Sequence, residues 1–415
     1  MFLESEKGLS PEELSDAVEA ILEARRPKKL LLLPPDYTRL YSGAGKLTAM
    51  ILRNMRGRAE VHVMPALGTH APMTDAECAA FFEGEIDHAD LIVHDWRHDV
   101  EMIGSVPRDF VREASEGLVD EEIPVEINRR LLDPSYDLIL SIGQVVPHEV
   151  VGMANYSKNV FVGCGGSRMI NSSHMLGAFY GLERVMGRDF SPVRKVFDYA
   201  EEHFLSSLPL SYLLTVTTSR GDATLIHGLY AGRERANFER AVKLSQKLNL
   251  THVSEPFSRA VVYLDPREFK STWLGNKAIY RTRMAMRDGG ELLILAPGVA
   301  KFGEDAENDR LIRKYGYVGR ERILALVKEN AELRANLSAA AHLIHGSSDG
   351  RFSVTYAVEN MTREEIEGVG YRYLPYAEAV KEYDPARLSD GWHETSGGER
   401  FFYISNPALG LWAGE

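Results

Sequence analysis

Two hydrophobic patterns alternate along the chain: short apolar runs closed by turn residues, and stretches whose apolar positions return every three or four residues. Residues 10–25 show the second. Ser10 and Pro11 mark an N-cap and a first helical position, and Leu14, Ala17, Val18, Ile21 and Leu22 share one face. Residues 29–33 read as a short buried strand that ends in Pro34-Pro35-Asp36, and a helix is predicted from about Ser42 to Met55. Residues 59–67 alternate like a strand and run into Gly68-Thr69-His70, after which Thr74 and Glu77 form a capping box. Residues 89–95 look like a further strand. Residues 137–143 read as a buried one.

The second half continues in the same way. Ser191-Pro192 starts an amphipathic helix through Phe204, strands are expected at 211–217 and 223–230, and a helix at 233–248. The pattern breaks over 249–257. Beyond it come a strand at 259–264, a helix at 271–287, a strand at 291–296, helices at 305–316 and 320–345, a strand at 352–358 and a helix capped by Thr362 and Glu365. The fold class expected is α/β, with two domains each built on a mostly parallel sheet flanked by helices. Residues 1–252 would form the first domain and 253–394 the second, with the strand-like tail at 395–415 free to return to the first.

Composition narrows the function classes. Hydrophobic content of 44% with 26% charged residues is that of a globular protein in water. A formal charge of −12 with no basic stripe argues against nucleic acid. No apolar run approaches the ~18 residues of a membrane span. Two cysteines, Cys78 and Cys164, make neither a disulfide framework nor a Cys-rich metal site, so a cytoplasmic setting is expected.

The candidate chemistry gathers after the 137–143 strand. His148, Lys158 and His174 follow it in a stretch that also carries Gly163, Gly165 and Gly166. In open α/β sheets ligands bind at the carboxyl ends of strands. Asp36 with Arg39, and then His70, also sit between a strand end and a helix start. Each residue has a bland reading: a satisfied histidine, a solvated lysine, a surface ion pair, a flexible glycine turn. Their clustering is what favours function. His94, Asp95, His98 and Asp99 read as a polar loop rather than a metal cluster, and Cys164 as a packing residue.

Together the motifs resemble the lactate racemase family. The family shows an Asp-x-x-Arg turn, a Gly-Thr-His, a Pro-His ten residues before a lysine, and a histidine sixteen beyond it. Here stand Asp36 and Arg39, Gly68-Thr69-His70, Pro147-His148, Lys158 and His174. The resemblance implies a nickel-pincer nucleotide joined to Lys158, with nickel ligated by His174 and with Asp36, Gly165 and Gly166 beside the cofactor. It implies His70 and His148 as acid/base residues on opposite faces of a small 2-hydroxy acid, with Asp36 in support. Arg39 and Lys277 would hold the substrate carboxylate, with Tyr37 and Trp273 lining a site in the cleft between the domains. The implied reaction is racemisation or epimerisation at C2, by hydride transfer to and from the cofactor through a 2-keto acid. Enzymes that make the cofactor are implied as partners. A homo-oligomer is left open.

Departures from the family bear on the substrate. Tyr37 and Leu40 replace a Thr-Thr-Arg-Pro pattern, Met153 to Ser157 replace a serine- and glycine-rich run, and Leu274 beside Trp273 stands where glutamine is usual. Asn155, Tyr156 and Tyr37 would offer hydrogen bonds if they face the site, which points to a polyhydroxylated acid such as an aldonate. Rival readings are a Schiff-base or pyridoxal phosphate enzyme using Lys158, a zinc enzyme using His70, His148 and His174, and a non-catalytic sugar-acid binding protein.

Overall fold

The computed structural model describes residues 1–220 and 223–414; residues 221, 222 and 415, the last of the expected tail, lie outside the description. The described residues fall into two compact units. The first comprises residues 1–180 and 184–249, and the second residues 181–183 and 250–414.

In the first unit a six-stranded sheet runs in the order Phe2–Glu4, Ala223–Gly232, Leu210–Arg220, Leu138–Gln144, Lys29–Leu33, Glu60–Val63. The last four of these pair in parallel, and the first two are antiparallel additions. Leucines 30 to 33 are all fully buried. Successive strand residues face opposite sides. Leu31 and Leu33 therefore join Phe197, Ala200, Phe238 and Ala241 from the helices Pro192–Phe204 and Arg235–Asn249. Leu30 and Leu32 meet Leu14, Val18, Leu47 and Ile51 from the helices Pro11–Arg25 and Ala44–Met55. A strand covered on both faces has to be a continuous apolar run, which explains the four leucines. Burying each contributes roughly 1.5–3 kcal/mol.

The second unit has its own six-stranded sheet, ordered Arg372–Pro375, Ser353–Val358, Met286–Ala296, Phe257–Tyr263, Arg400–Ile404, Gly391–Glu394. All its neighbours are parallel except the last pair. The fold is thus α/β with mostly parallel sheets flanked by helices. No helix among the described residues is long and apolar enough to cross a membrane.

Four expectations need correction. Residues 89–95 form no strand: a single turn at His88–Asp90 is followed by one bridge, from Val63 to Leu91. The segment's four apolar residues include the exposed Val93, so it lacks a second buried face. The tail does not return to the first unit. Arg400–Ile404 pairs with Phe257–Tyr263 and Leu411–Gly414 with Leu250–Val253, which buries Phe401 and Tyr403 in the second unit. The helix expected at 271–287 breaks into Thr272–Gly275 and Lys277–Thr282. Asn276, at the break, accepts hydrogen bonds from the Tyr356 and Tyr371 hydroxyls. The helix expected at 320–345 is divided at Asn330 and Asn336.

Candidate active site

Glu60–Val63, Lys29–Leu33 and Leu138–Gln144 are neighbouring parallel strands, so their carboxyl ends open side by side. Asp36 and Arg39 follow the middle strand, His70 one edge and His148 the other. Further hydrogen bonds tie these ends together. The Asn159 amide donates to the Leu33 carbonyl at 3.1 Å and to Ser141 Oγ at 2.9 Å, while Gly68 N–H donates to the Gly163 carbonyl at 2.9 Å. The turns bearing Asp36, His70 and Lys158 therefore form one surface.

Asp36 caps the short 3-10 helix Tyr37–Ser42, its Oδ1 accepting from the Thr38 N–H at 2.9 Å. Its other oxygen, Oδ2, lies 2.7 Å from His70 Nδ1. That contact assigns the His70 proton to Nδ1 and leaves a lone pair on Nε2. Burial pushes the Asp36 carboxyl upward, but the His70 imidazole, Thr38 and Arg39 more than offset it and leave the pKa at about 2. Arg39 donates to the Thr38 carbonyl and hydroxyl at 3.2 and 3.1 Å, and no carboxylate pairs with it among the described residues. Its guanidinium keeps donors for an anionic group.

Lys158 precedes a π-helical turn, Asn159–Gly163. Burial, with help from the Arg39 and Arg194 charges, brings its ammonium down to about 8, against the opposing pull of Glu149 and Asp36. His174 lies on the helix Ser167–Tyr180 and donates from Nδ1 to the Ile170 carbonyl, 2.7 Å away, which frees Nε2. Burial lowers it to about 4, with Lys158 and His70 adding to the shift and Glu149 opposing it. His174 thus lies within the field of the Lys158 amine and of His70. His148 is buried, and its Nδ1 accepts from the Val150 N–H at 3.1 Å. Its neutral form therefore carries the proton on Nε2, the reverse of His70. Glu149 Oε2 stands 3.7 Å from His148 Nδ1. No role for Glu149 was read from the sequence, although it is the carboxylate whose charge reaches both Lys158 and His174.

Other candidates lie elsewhere or are used internally. Gly165 and Gly166 pack closely against the chain: a Cβ would meet the Phe161 carbonyl oxygen at 1.8 Å in one case and Glu126 Oε2 at 2.4 Å in the other. Their lack of a side chain serves chain packing. Tyr156 turns away from the site, stacking on Phe238 and donating to the Arg233 carbonyl at 2.9 Å. Asn155 Oδ1 accepts from the Tyr156 N–H at 2.7 Å. Tyr37 packs edge-on against Phe81. Cys164 is fully buried in the apolar cluster. His94 Nε2 lies 3.0 Å from the Gly165 carbonyl oxygen and the Asn128 amide 2.9 Å from His94 Nδ1, so this histidine braces the glycine turn. In the second unit, Lys277 is buried and donates to Glu268 at 2.8 Å, and Trp273 stacks on His342 at 4.2 Å. Among the described residues no three His, Cys, Asp or Glu side chains are grouped to hold a metal, so His70, His148 and His174 do not form a zinc-type triad.

Fold and site together define an α/β protein that gathers an amine, imidazoles and a guanidinium at the carboxyl ends of parallel strands. Residues 12–185 match the model of the lactate racemase N-terminal domain. Among solved structures, a structural-genomics target from Thermotoga maritima is 24% identical, with a TM-score of 0.85 over 100% of both chains. The lactate racemase apoprotein from Thermoanaerobacterium thermosaccharolyticum is 17% identical, with a TM-score of 0.69 over 96% of this chain and 92% of that one. These two likenesses are of fold. No curated protein matches the sequence.

Proposed function

We propose that the protein is a racemase or epimerase that inverts C2 of a 2-hydroxy acid, with a nickel-pincer nucleotide on Lys158 and its nickel on His174. One observation carries the reading. Lys158, His174 and the Asp36–His70 pair share one electrostatic neighbourhood at adjoining strand ends, where burial disfavours the charged forms of both Lys158 and His174. The residues fit the cofactor. A lysine with a lowered pKa has a nucleophilic amine within reach of neutral pH. A neutral imidazole with Nε2 free is a good nickel ligand, its other nitrogen fixed by a carbonyl. When bound, the group supplies a place that takes a hydride from C2 and gives it back.

The chain's own residues do the rest. Arg39 holds the substrate carboxylate through its uncommitted donors. His70 Nε2 takes the 2-hydroxyl proton, and Asp36 stabilises the imidazolium that results. His148 would supply a proton to the oxygen from the other side when the other configuration forms, so that the proton taken up by His70 is matched by one released from His148. The part of Lys277 in binding the carboxylate is shared with Glu268. Of the three groups invoked for a polyhydroxylated substrate, Asn155 and Tyr156 are engaged within the protein, so the aldonate is retained as one candidate in a wider screen. The two cysteines suit a reducing cytoplasm, where the cofactor-making enzymes would act.

The test is a panel of lactate-sized and sugar-derived 2-hydroxy acids, incubated in heavy water with chain co-expressed with cofactor-making enzymes. Inversion with the C2 hydrogen largely retained is expected. Wholesale deuterium at C2 would replace hydride transfer with a carbanion route, and no inversion of any acid would refute the activity.

A further inference from the structure

Arg194 belongs to no motif and to none of the roles above, yet it is fully buried beside the segment that leads to Lys158. From the first turn of the helix Pro192–Phe204 its guanidinium reaches three acceptors on that segment: Ser157 Oγ at 2.9 Å, the Met153 carbonyl at 2.8 Å and the Asn155 carbonyl at 3.1 Å. Between them Asn155 and Tyr156 both take left-handed backbone conformations, φ +63° and +58°. Two successive non-glycine residues in that region persist only where the surroundings hold them.

A buried arginine is ordinarily matched by a carboxylate. Here no carboxylate pairs directly with Arg194 among the described residues. The nearby Asp189 and Asp198 bind Arg235 instead, and Arg194 Nε has no partner. Its other contacts are the Phe238 and Tyr156 rings, 4.5 and 6.0 Å from the guanidinium carbon. An apolar side chain would satisfy packing alone. What a planar fork adds is a simultaneous hold on both sides of the left-handed pair.

We propose that Arg194 is a positioning residue for Lys158, its guanidinium fixing the Met153–Ser157 loop so that the amine stands buried and ready for covalent attachment. The functional meaning rests on Lys158 being the cofactor lysine. The geometry stands without it.

The experiment uses the full chain without cofactor. Lys158 is acetylated in competition with the exposed Lys7 across a pH series, and the extents are read by peptide mass spectrometry alongside thermal melts. The unaltered protein should show a Lys158 midpoint near about 8. Arg39, Glu149 and Asp36 also face the amine and are left in place. Both Arg194→Gln and Arg194→Lys should move the midpoint upward, towards the ordinary lysine value of about 10.4, as the freed loop hydrates the ammonium. A rise in the glutamine variant alone would mean that only the charge matters, and would overturn positioning. So would a midpoint unchanged in both with a lowered melting temperature. If the glutamine variant does not fold, the lysine variant decides. Lack of a cofactor adduct on unaltered Lys158 would sink the proposed function and leave this inference standing.

Discussion

Replacing Asp36 by Asn tests the electrostatic centre of the site. The amide keeps the shape and removes the charge that faces His70 Nδ1 at 2.7 Å. Folding takes the Asp36 carboxyl from its ordinary 3.8 to about 2. At 1.36 kcal/mol per pH unit, that difference is worth about 2 kcal/mol. A carboxyl whose folded pKa lies below its unfolded one stabilises the fold above the unfolded value, and the contribution is lost as pH falls through the folded value. Asp36→Asn should therefore be less stable by about 2 kcal/mol at pH 7, a drop of roughly 4–8 °C for a unit of this size. The difference from the unaltered protein should shrink between about pH 4 and pH 2. The variant's amide can also donate to Nδ1, which would shift the His70 proton to Nε2 and remove the base, lowering inversion by roughly 10²–10⁴-fold. Melts across pH and nitrogen-15 NMR of labelled histidines read both effects. An unchanged melting temperature with the proton still on Nδ1 would refute the reasoning.

Three further outcomes are expected. Lys158→Met should stabilise the protein at pH 7, because the fold depresses that ammonium and so opposes its burial; unaltered protein should gain stability between about pH 8 and 10.5, and a flat melt series would contradict this. Glu149→Gln removes the charge that supports the Lys158 ammonium, so the acetylation midpoint should fall below about 8, opposite to the Arg194 variants. Gly165→Ala drives a Cβ to 1.8 Å from the Phe161 carbonyl oxygen and should destabilise by roughly 1–3 kcal/mol, read by chemical denaturation; a neutral substitution would show that the turn yields.

Much of the first unit was legible because its strands are covered on both faces. The leucines at 30 to 33 and the run into Gly143 have no other reading, and the polar residues beyond them sit at strand ends by topology. What was missed depends on contacts distant in sequence. The strand Val100–Val106 mixes charge with apolar residues and is explained only by its partner, Ile123–Asn128. Gly165 and Gly166 read as a flexible turn in the sequence, and only the fold brings Phe161 and Glu126 against them. Glu149 and Arg194 carry no motif, and their importance appears only in the contacts and charges they bring to the segment that leads to Lys158. Ile170 and His174, four apart, became a hydrogen-bonded pair only because Ser167–Tyr180 is a helix, which the glycine-rich approach concealed.

The central claim, that Lys158 and His174 together hold the cofactor, is met most directly by mass and metal analysis of chain co-expressed with the cofactor-making enzymes. A mononucleotide-sized addition on the peptide containing Lys158, with one nickel per chain that is lost in His174→Ala while the adduct stays, is the expected result. An unmodified Lys158, or nickel that survives the loss of His174, would contradict it.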